Sequence, residues 1–294
     1  MRILLTGTSG QVGHELLHAL RTSGDIIAVD RATMDLTNLA QVQEVIREVR
    51  PALIVHPAAY TAVDLAEREV ELAMRTNAEA PAVMAAEAKR LGAALIYYST
   101  DYVFDGCKTA AYVEEDTARP QNIYGQSKLA GEQAIIASGV PHLILRTSWV
   151  YGWHGRNFLL TVRKLAQERQ ELRIVADQLG APTWARTLAV ATAAAVQSLQ
   201  KTASDGVDLE LWQERGGLYH LTAQGSTSWY GFAQAIVDQL RLDIKPDLIP
   251  VATEAYPLLA RRPANSVLSS EKFMRTFGSL PDWNAALQTC LSEA

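Results

Sequence analysis

The chain has 294 residues, 48% of them hydrophobic and 20% charged, with a formal net charge of -5. This is enough apolar material for one large domain or two smaller ones, which excludes a polar disordered chain. With no basic block above the acidic background, a nucleic-acid surface is not expected. The two cysteines, Cys107 and Cys290, lie far apart and form no disulfide framework, so a reduced, cytoplasmic setting is the simpler expectation. The apolar run after Arg2 is too short for a signal peptide, and no run approaches the ~20 residues of a membrane span.

Short apolar runs alternate with amphipathic stretches through the first half. "RILLTG" (2–7), "IIAVD" (26–30), "ALIVHPAA" (52–59), "AALIYYST" (93–100) and "HLILRTS" (142–148) read as buried strands. Residues 11–22, 39–49, 64–91 and 124–138 carry helical periodicity. This order predicts an α/β fold, a Rossmann-type doubly wound parallel sheet with right-handed crossovers. Past Trp149 the rhythm loosens. Helices are expected over 157–169, 186–201 and 228–240, a strand over 217–223, and an extended segment leading into a short helix over 261–273. The expected division is a dinucleotide-binding domain over 1–150 and a smaller α/β substrate lobe over 151–294, with some later segments returning to the first domain.

The first strand runs into Gly7, Gly10 and Gly13, and then into a helix. One glycine permits the tight turn, one lets a pyrophosphate approach the backbone, and one lets helix and strand pack closely. The helix N-terminus adds free amides and a positive dipole end. Asp30, at the end of the second strand, is placed to grip the adenosine ribose hydroxyls and favours NADH. Its neighbour Arg31 would pair with a 2'-phosphate and favours NADPH, so the sequence leaves both cofactors open. The same helix contains His14-Glu15-Leu16-Leu17-His18, a literal zinc-protease H-E-x-x-H. On a helical wheel Val12, Leu16, Ala19 and Leu20 share one side, and His14 and His18 fall opposite, away from the sheet. None of His56, His142, His154 and His220 sits in a recognisable third-ligand motif, so the match is read as accidental.

Tyr124 and Lys128 stand at i, i+4 on the fourth helix and share one face. A nearby ammonium is expected to lower the tyrosine pKa and make it a usable proton donor. Ser99, Thr100 and Asp101 close the fourth strand at its carboxyl end, where open parallel sheets bind ligands. "PAAYTAVD" ends the third strand in the same crevice, and its Ala58 and Ala59 leave room for a cofactor.

These residues, with "STDYVFDG", "YGQSKLAGE", "RTSWVYG", "DQLGAPT" and "ARRPANSVLSSEKF", resemble the extended short-chain dehydrogenase/reductase superfamily. The similarity is greatest to its dTDP-4-dehydrorhamnose reductase family and covers nearly the whole chain. The resemblance implies reduction of the C4 ketone of dTDP-4-dehydro-β-L-rhamnose by NADPH or NADH. It implies Tyr124 as proton donor, Lys128 as its electrostatic partner and ribose ligand, and Thr100 polarising the ketone. Asp101 would contact the sugar, and Trp149 would form an apolar wall against it. Gly10, Gln11 and Val12 would meet the pyrophosphate; Asp30, Asp35 and Leu36 the adenosine; Ala59, Tyr60 and Thr61 the rest of the cofactor. The implied partners are a nucleotide-sugar substrate and a second copy in a homodimer, with neither nucleic acid nor membrane. A magnesium ion at a dimer contact is implied at Glu15, but Arg186 stands where a second carboxylate belongs. That departure argues against a bridging Mg2+, and no metal ligand is assigned. Arg261 and Arg262 are open between the nucleotide diphosphate and surface ion pairs. A regulatory subunit like that of methionine adenosyltransferase, and another nucleotide-sugar reductase or epimerase, are the alternative functions.

Overall fold

In a computed structural model, which describes residues 1–200 and 207–293, the near-continuous apolar runs become parallel strands. A strand covered on both faces needs apolar residues at successive positions, and the third and fourth strands are buried at every residue. The order is β1 (Arg2–Leu5), α1 (Gln11–Ala19), β2 (Asp25–Ala28), α2 (Leu39–Val49), β3 (Leu53–His56), α3 (Val63–Ala66), α4 (Val70–Met74), α5 (Ala80–Leu91), β4 (Ala94–Thr100), α6 (Ile123–Ser138) and β5 (His142–Thr147). Then come β6 (Val150–Tyr151), α7 (Phe158–Glu168), β7 (Glu171–Val175), β8 (Leu179–Gly180), β9 (Thr183–Trp184), α8 (Ala185–Ser198), α9 (Leu209–Arg215), β10 (Gly217–His220), β11 (Thr227–Ser228), α10 (Trp229–Gln239), β12 (Asp247–Val251), α11 (Glu271–Phe277) and α12 (Trp283–Ser292).

Six strands form one parallel sheet in the order β10-β5-β4-β3-β1-β2. Chain order reverses between β1 and β3, which opens a crevice at the carboxyl ends of those strands. Side chains alternate between the two faces. Leu4, Ile54, Leu95 and Ile144 pack with Val42, Ile46 and Met84 of the helices on one side. Ile3, Leu5, Val55, Ile96 and Leu145 pack with Leu16 of α1, with Leu20 just beyond its end, and with Leu188 and Val196 of α8 on the other. A separate core, centred on Tyr151, Leu159, Phe232 and Leu287, holds α7, α10 and α12 together.

The sequence expectation for 64–91 was one helix. The structure breaks it into α3, α4, a π-helical turn (Arg75–Glu79) and α5. Periodicity cannot register this change, because a π turn inserts one extra residue without removing helical hydrogen bonding. The third strand stops at His56, since Pro57 has no N–H to continue the ladder. The first helix ends at Ala19, and the helix expected over 186–201 ends at Ser198, with Lys201 outside the described residues. β10 pairs with β5, so the chain returns to the main sheet long after residue 150. Among the described residues, no helix is long and apolar enough to cross a membrane.

Candidate active site

The carboxyl ends of β1, β3, β4 and β5 converge on a cleft of about 630 Å³. At its floor Gly7 adopts a left-handed φ of 61°, and a Cβ there would lie 2.9 Å from Ala58. A Cβ on Gly13 would overlap the Gly7 carbonyl oxygen, so loop and helix touch backbone to backbone. Gly10 caps α1 without a side-chain acceptor, and no acid stands in the first turn. The first-turn amides, including those of Gln11 and Val12, are therefore free to meet an anion.

Asp30, Asp35 and Leu36 line the far end of the cleft with Arg31. Asp30 Oδ1 already accepts the backbone N–H groups of Ala32 and Thr33, each at 3.0 Å, and the Thr33 hydroxyl at 3.0 Å. These bonds to Thr33 hold its carboxyl below the ordinary range. Asp35 is held low in the same way by Thr37, with Arg31 assisting.

Ala59, Tyr60 and Thr61 form the adjoining wall. Tyr60 is fixed by Asn77, a residue of the π-helical turn that the sequence reading passed over. Asn77 Oδ1 accepts the Tyr60 N–H at 2.8 Å, and Asn77 Nδ2 donates to the Tyr60 carbonyl at 3.0 Å and to Ser127 Oγ at 3.0 Å. Its own carbonyl accepts the Tyr97 hydroxyl at 2.8 Å. The cofactor wall, the sheet and α6 thus meet on one buried amide. In the sequence it is one polar residue in an amphipathic stretch, with no spacing to mark it.

Tyr124 and Lys128 project from α6, whose first turn is fixed by Asn122 accepting the Gly125 N–H at 2.8 Å. Lys128 is 1% exposed. Its Nζ lies 3.9 Å from the centre of the Tyr97 ring and has no hydrogen-bond partner among the described residues. Burial pulls its pKa down to about 7, opposed by Glu132 one turn along, which is itself locked to Arg146 at 2.6 Å. The expected lowering of the Tyr124 pKa is not found. Burial pushes it up to about 12; the Thr100 hydroxyl draws it back, and Asp101 raises it further. The sequence reading weighed the ammonium and not the desolvation, which acts on both groups at once.

Thr100 and Asp101 stand beside Tyr124, outside the cleft lining. Thr100 donates to Asp101 Oδ1 at 3.0 Å, Asp101 Oδ2 has no partner among the described residues, and burial lifts this carboxyl to about 6. Ser99 and Thr147 line the cleft with buried hydroxyls that are likewise unpartnered among the described residues. Thr147 lies in the RTSWVYG stretch, where the sequence reading assigned a role to Trp149 alone. Trp149 also lies outside the lining. It holds a left-handed φ of 46° and stacks on Trp229 with ring centres 3.5 Å apart and planes within 5°. Gly180 makes room for it, since a Cβ there would fall inside the indole. Trp229, from α10, was not anticipated.

Arg262 is committed to Asp64 at 2.6 Å, and the Arg261 carbonyl accepts from Asn122 Nδ2 at 2.8 Å. Glu15 is engaged by Arg186 at 2.9 Å, and Arg186 also pairs with Glu293. His18 is exposed, while His14 lies flat on His154 with centres 4.3 Å apart. Among the described residues, no group of three or more His, Cys, Asp or Glu is arranged to hold a metal.

The sheet with its switch point, the glycine loop and the Tyr–Lys helix define a Rossmann-type reductase of the short-chain dehydrogenase class. The family model described as RmlD substrate binding domain matches residues 1–294. A dTDP-4-dehydrorhamnose reductase of Burkholderia thailandensis is 44% identical, with 100% of this chain and 99% of the relative covered. That of Escherichia coli K12 is 44% identical, covering 100% and 98%. The crystal structure of the Bacillus anthracis dTDP-4-dehydrorhamnose reductase in complex with NADP superposes with a TM-score of 0.90 at 37% identity, covering 100% and 99%. The chain belongs to the dTDP-4-dehydrorhamnose reductase family.

Proposed function

We propose that the chain reduces the C4 ketone of dTDP-4-dehydro-β-L-rhamnose to give dTDP-L-rhamnose, with NADPH or NADH as reductant. The observation that carries this reading is a protonated tyrosine, pushed up to about 12, one helical turn from a buried lysine that has no hydrogen-bond partner among the described residues, both lining the cleft that the glycine loop opens. The cleft fits such a cofactor on its own terms. The glycine cradle excludes side chains, the α1 amides are free, and Lys128 Nζ has among the described residues none of the partners that ribose hydroxyls would provide.

When bound, the reduced nicotinamide supplies hydride to the ketone carbon. Charge then builds on the ketone oxygen, where the Tyr124 phenol donates a hydrogen bond and the Thr100 hydroxyl donates a second by turning its proton from Asp101 Oδ1. Tyr124 passes its proton to that oxygen, and the Lys128 ammonium stabilises the tyrosinate left behind. Asp101 and the Trp149–Trp229 stack face the sugar. Gly7, Gly10, Gln11, Val12 and Gly13 hold the diphosphate, Asp30, Asp35 and Leu36 the adenosine, and Ala59, Tyr60 and Thr61 the middle of the cofactor. Residues 1–150 with β10 and α8 form the cofactor half, and the remainder holds the nucleotide sugar. With both cysteines free, a reducing, cytoplasmic setting suits the chain. A homodimer, if formed, needs no metal at Glu15, whose carboxylate Arg186 already neutralises.

The test is consumption of NADPH and NADH with dTDP-4-dehydro-β-L-rhamnose generated in situ. Cofactor binding without consumption would favour a regulatory role, and turnover without net reductant would favour an epimerase.

A further inference from the structure

Immediately after β6 the chain turns back onto the phosphate loop. His154 Nε2 lies 2.8 Å from the Ser9 carbonyl oxygen, so that nitrogen carries the proton and donates. Asn157 Nδ2 donates to Gln11 Oε1 at 2.9 Å, and Gln11 Nε2 donates to the Val150 carbonyl at 3.3 Å. Asn157 is itself fixed, because its Oδ1 caps α7 by accepting the Leu160 N–H at 3.1 Å. The His154 ring lies flat on His14 of α1, with the two planes 4° apart. Between these anchors Gly155 takes a left-handed φ of 74°, and the turn brings Arg156 to the lining of the cleft. Arg156 is exposed and forms no ion pair among the described residues.

We infer that Arg156 is a binding residue for the diphosphate of the dinucleotide, held over the phosphate loop by a clasp of His154 on Ser9 and Asn157 on Gln11. The inference rests on the cofactor part of the proposed function. The α1 N-terminus offers backbone amides and partial charge, while the diphosphate carries full negative charge that Asp30 and Asp35 in the same cleft repel. Two other cations line the cleft, and each belongs to another part of it. Arg31 sits beside Asp35 at the adenosine end, and Lys128 is buried below Tyr124. Arg156 stands on the loop that is bonded directly to Ser9 and Gln11. A guanidinium there can bind two phosphate oxygens in a forked pair and brings the full positive charge that helix-end amides lack. The clasp also makes the cofactor a bridge, because Arg156 lies between β5 of the main sheet and α7 of the separate core.

Dissociation constants of NADPH, NADH, ADP-ribose and adenosine are to be measured by fluorescence titration for the wild type, Arg156→Ala and Arg156→Lys. Arg156→Ala is expected to weaken the first three ligands alike, by about tenfold, and to leave adenosine unchanged. Arg156→Lys should recover part of the loss and keep the salt dependence. A loss confined to NADPH would overturn the inference, because it would assign the cation to the 2'-phosphate. Affinities within about twofold of wild type for all ligands would also overturn it. His154→Ala, which leaves the cation in place, should weaken the same three ligands by about threefold; unchanged affinities would refute the clasp. If wild type binds dinucleotide but reduces no keto-sugar, the proposed function fails while this inference stands.

Discussion

The two ends of the cleft are built by different means. At the phosphate loop the shape is made of backbone: Gly7 and Gly13 are there because a Cβ has no room, and the helix amides need no side chain. At the other end α6 presents Tyr124 and Lys128, and the ends of β4 and β5 present Ser99, Asp101 and Thr147, buried or half-buried groups whose hydrogen-bonding capacity is unused among the described residues or whose pKa is pushed off its ordinary value. A site made of backbone fails by steric overlap and is indifferent to pH. A site made of desolvated side chains fails by loss of a proton or a charge and keeps its shape.

The sharpest way to separate the two is Tyr124→Phe, which removes the proton and leaves the ring. Turnover should fall by about a thousandfold or more, with cofactor affinity within about twofold of wild type, read by steady-state kinetics beside fluorescence titration. A variant with near-native kcat would sink the assignment of Tyr124. Gly13→Ala is the converse break. Its methyl would collide with the Gly7 carbonyl, and cofactor affinity should fall about a hundredfold by the same proportion at pH 6 and pH 8. A loss that varied strongly with pH would contradict a purely steric origin.

Gly180→Ala should push Trp149 off its stack on Trp229. The expected result is a KM for the nucleotide sugar raised about tenfold with unchanged NADPH affinity; an unchanged KM would remove the indole from the sugar site. The smallest effect concerns stability. His56 and His220 are buried neutral, with burial drawing both pKa values down to about 3 from 6.5. Below pH 6.5 the unfolded chain therefore binds protons that the folded one does not, and stability should fall as pH drops from 6.5 toward 3. The slope is at most about 1.4 kcal/mol per pH unit for each histidine. Asp101 opposes it, since its pKa is raised from 3.8 to about 6 and the folded state takes up a proton first in that range. Urea unfolding midpoints of wild type and His220→Asn at pH 7 and pH 5 would check this, with the flatter dependence expected for the variant.

Legibility follows the same division. Gly7, Gly10 and Gly13 could be placed because their setting is local, a turn and a helix start within one β-α-β unit, with Asp30 two residues past β2. Every residue assigned to the cofactor lines the cleft. What the sequence withheld depends on distant chain. β10 joins the sheet beside β5, and α8 packs on α1, through contacts that no local period encodes. Trp229 meets Trp149 from another helix, and Asn77 reaches Tyr60, Ser127 and Tyr97 only because a π turn redirects it. The tyrosine pKa was misjudged for a related reason. The ammonium four residues away is visible in sequence, whereas the burial that raises this pKa is a property of the assembled fold.

The π-helical turn at Arg75–Glu79 has a consequence for how this stretch tolerates insertion and deletion. The surplus residue is absorbed within one widened turn, so the helices on either side keep a common phase. Deleting it would narrow that turn to an ordinary one and leave Met84, Ala85 and Ala88 facing the sheet, whereas the Asn77 amide, carried by the wide turn, would leave Tyr60. A single missing codon here would therefore act on the cleft wall and spare the packing of the helix that follows.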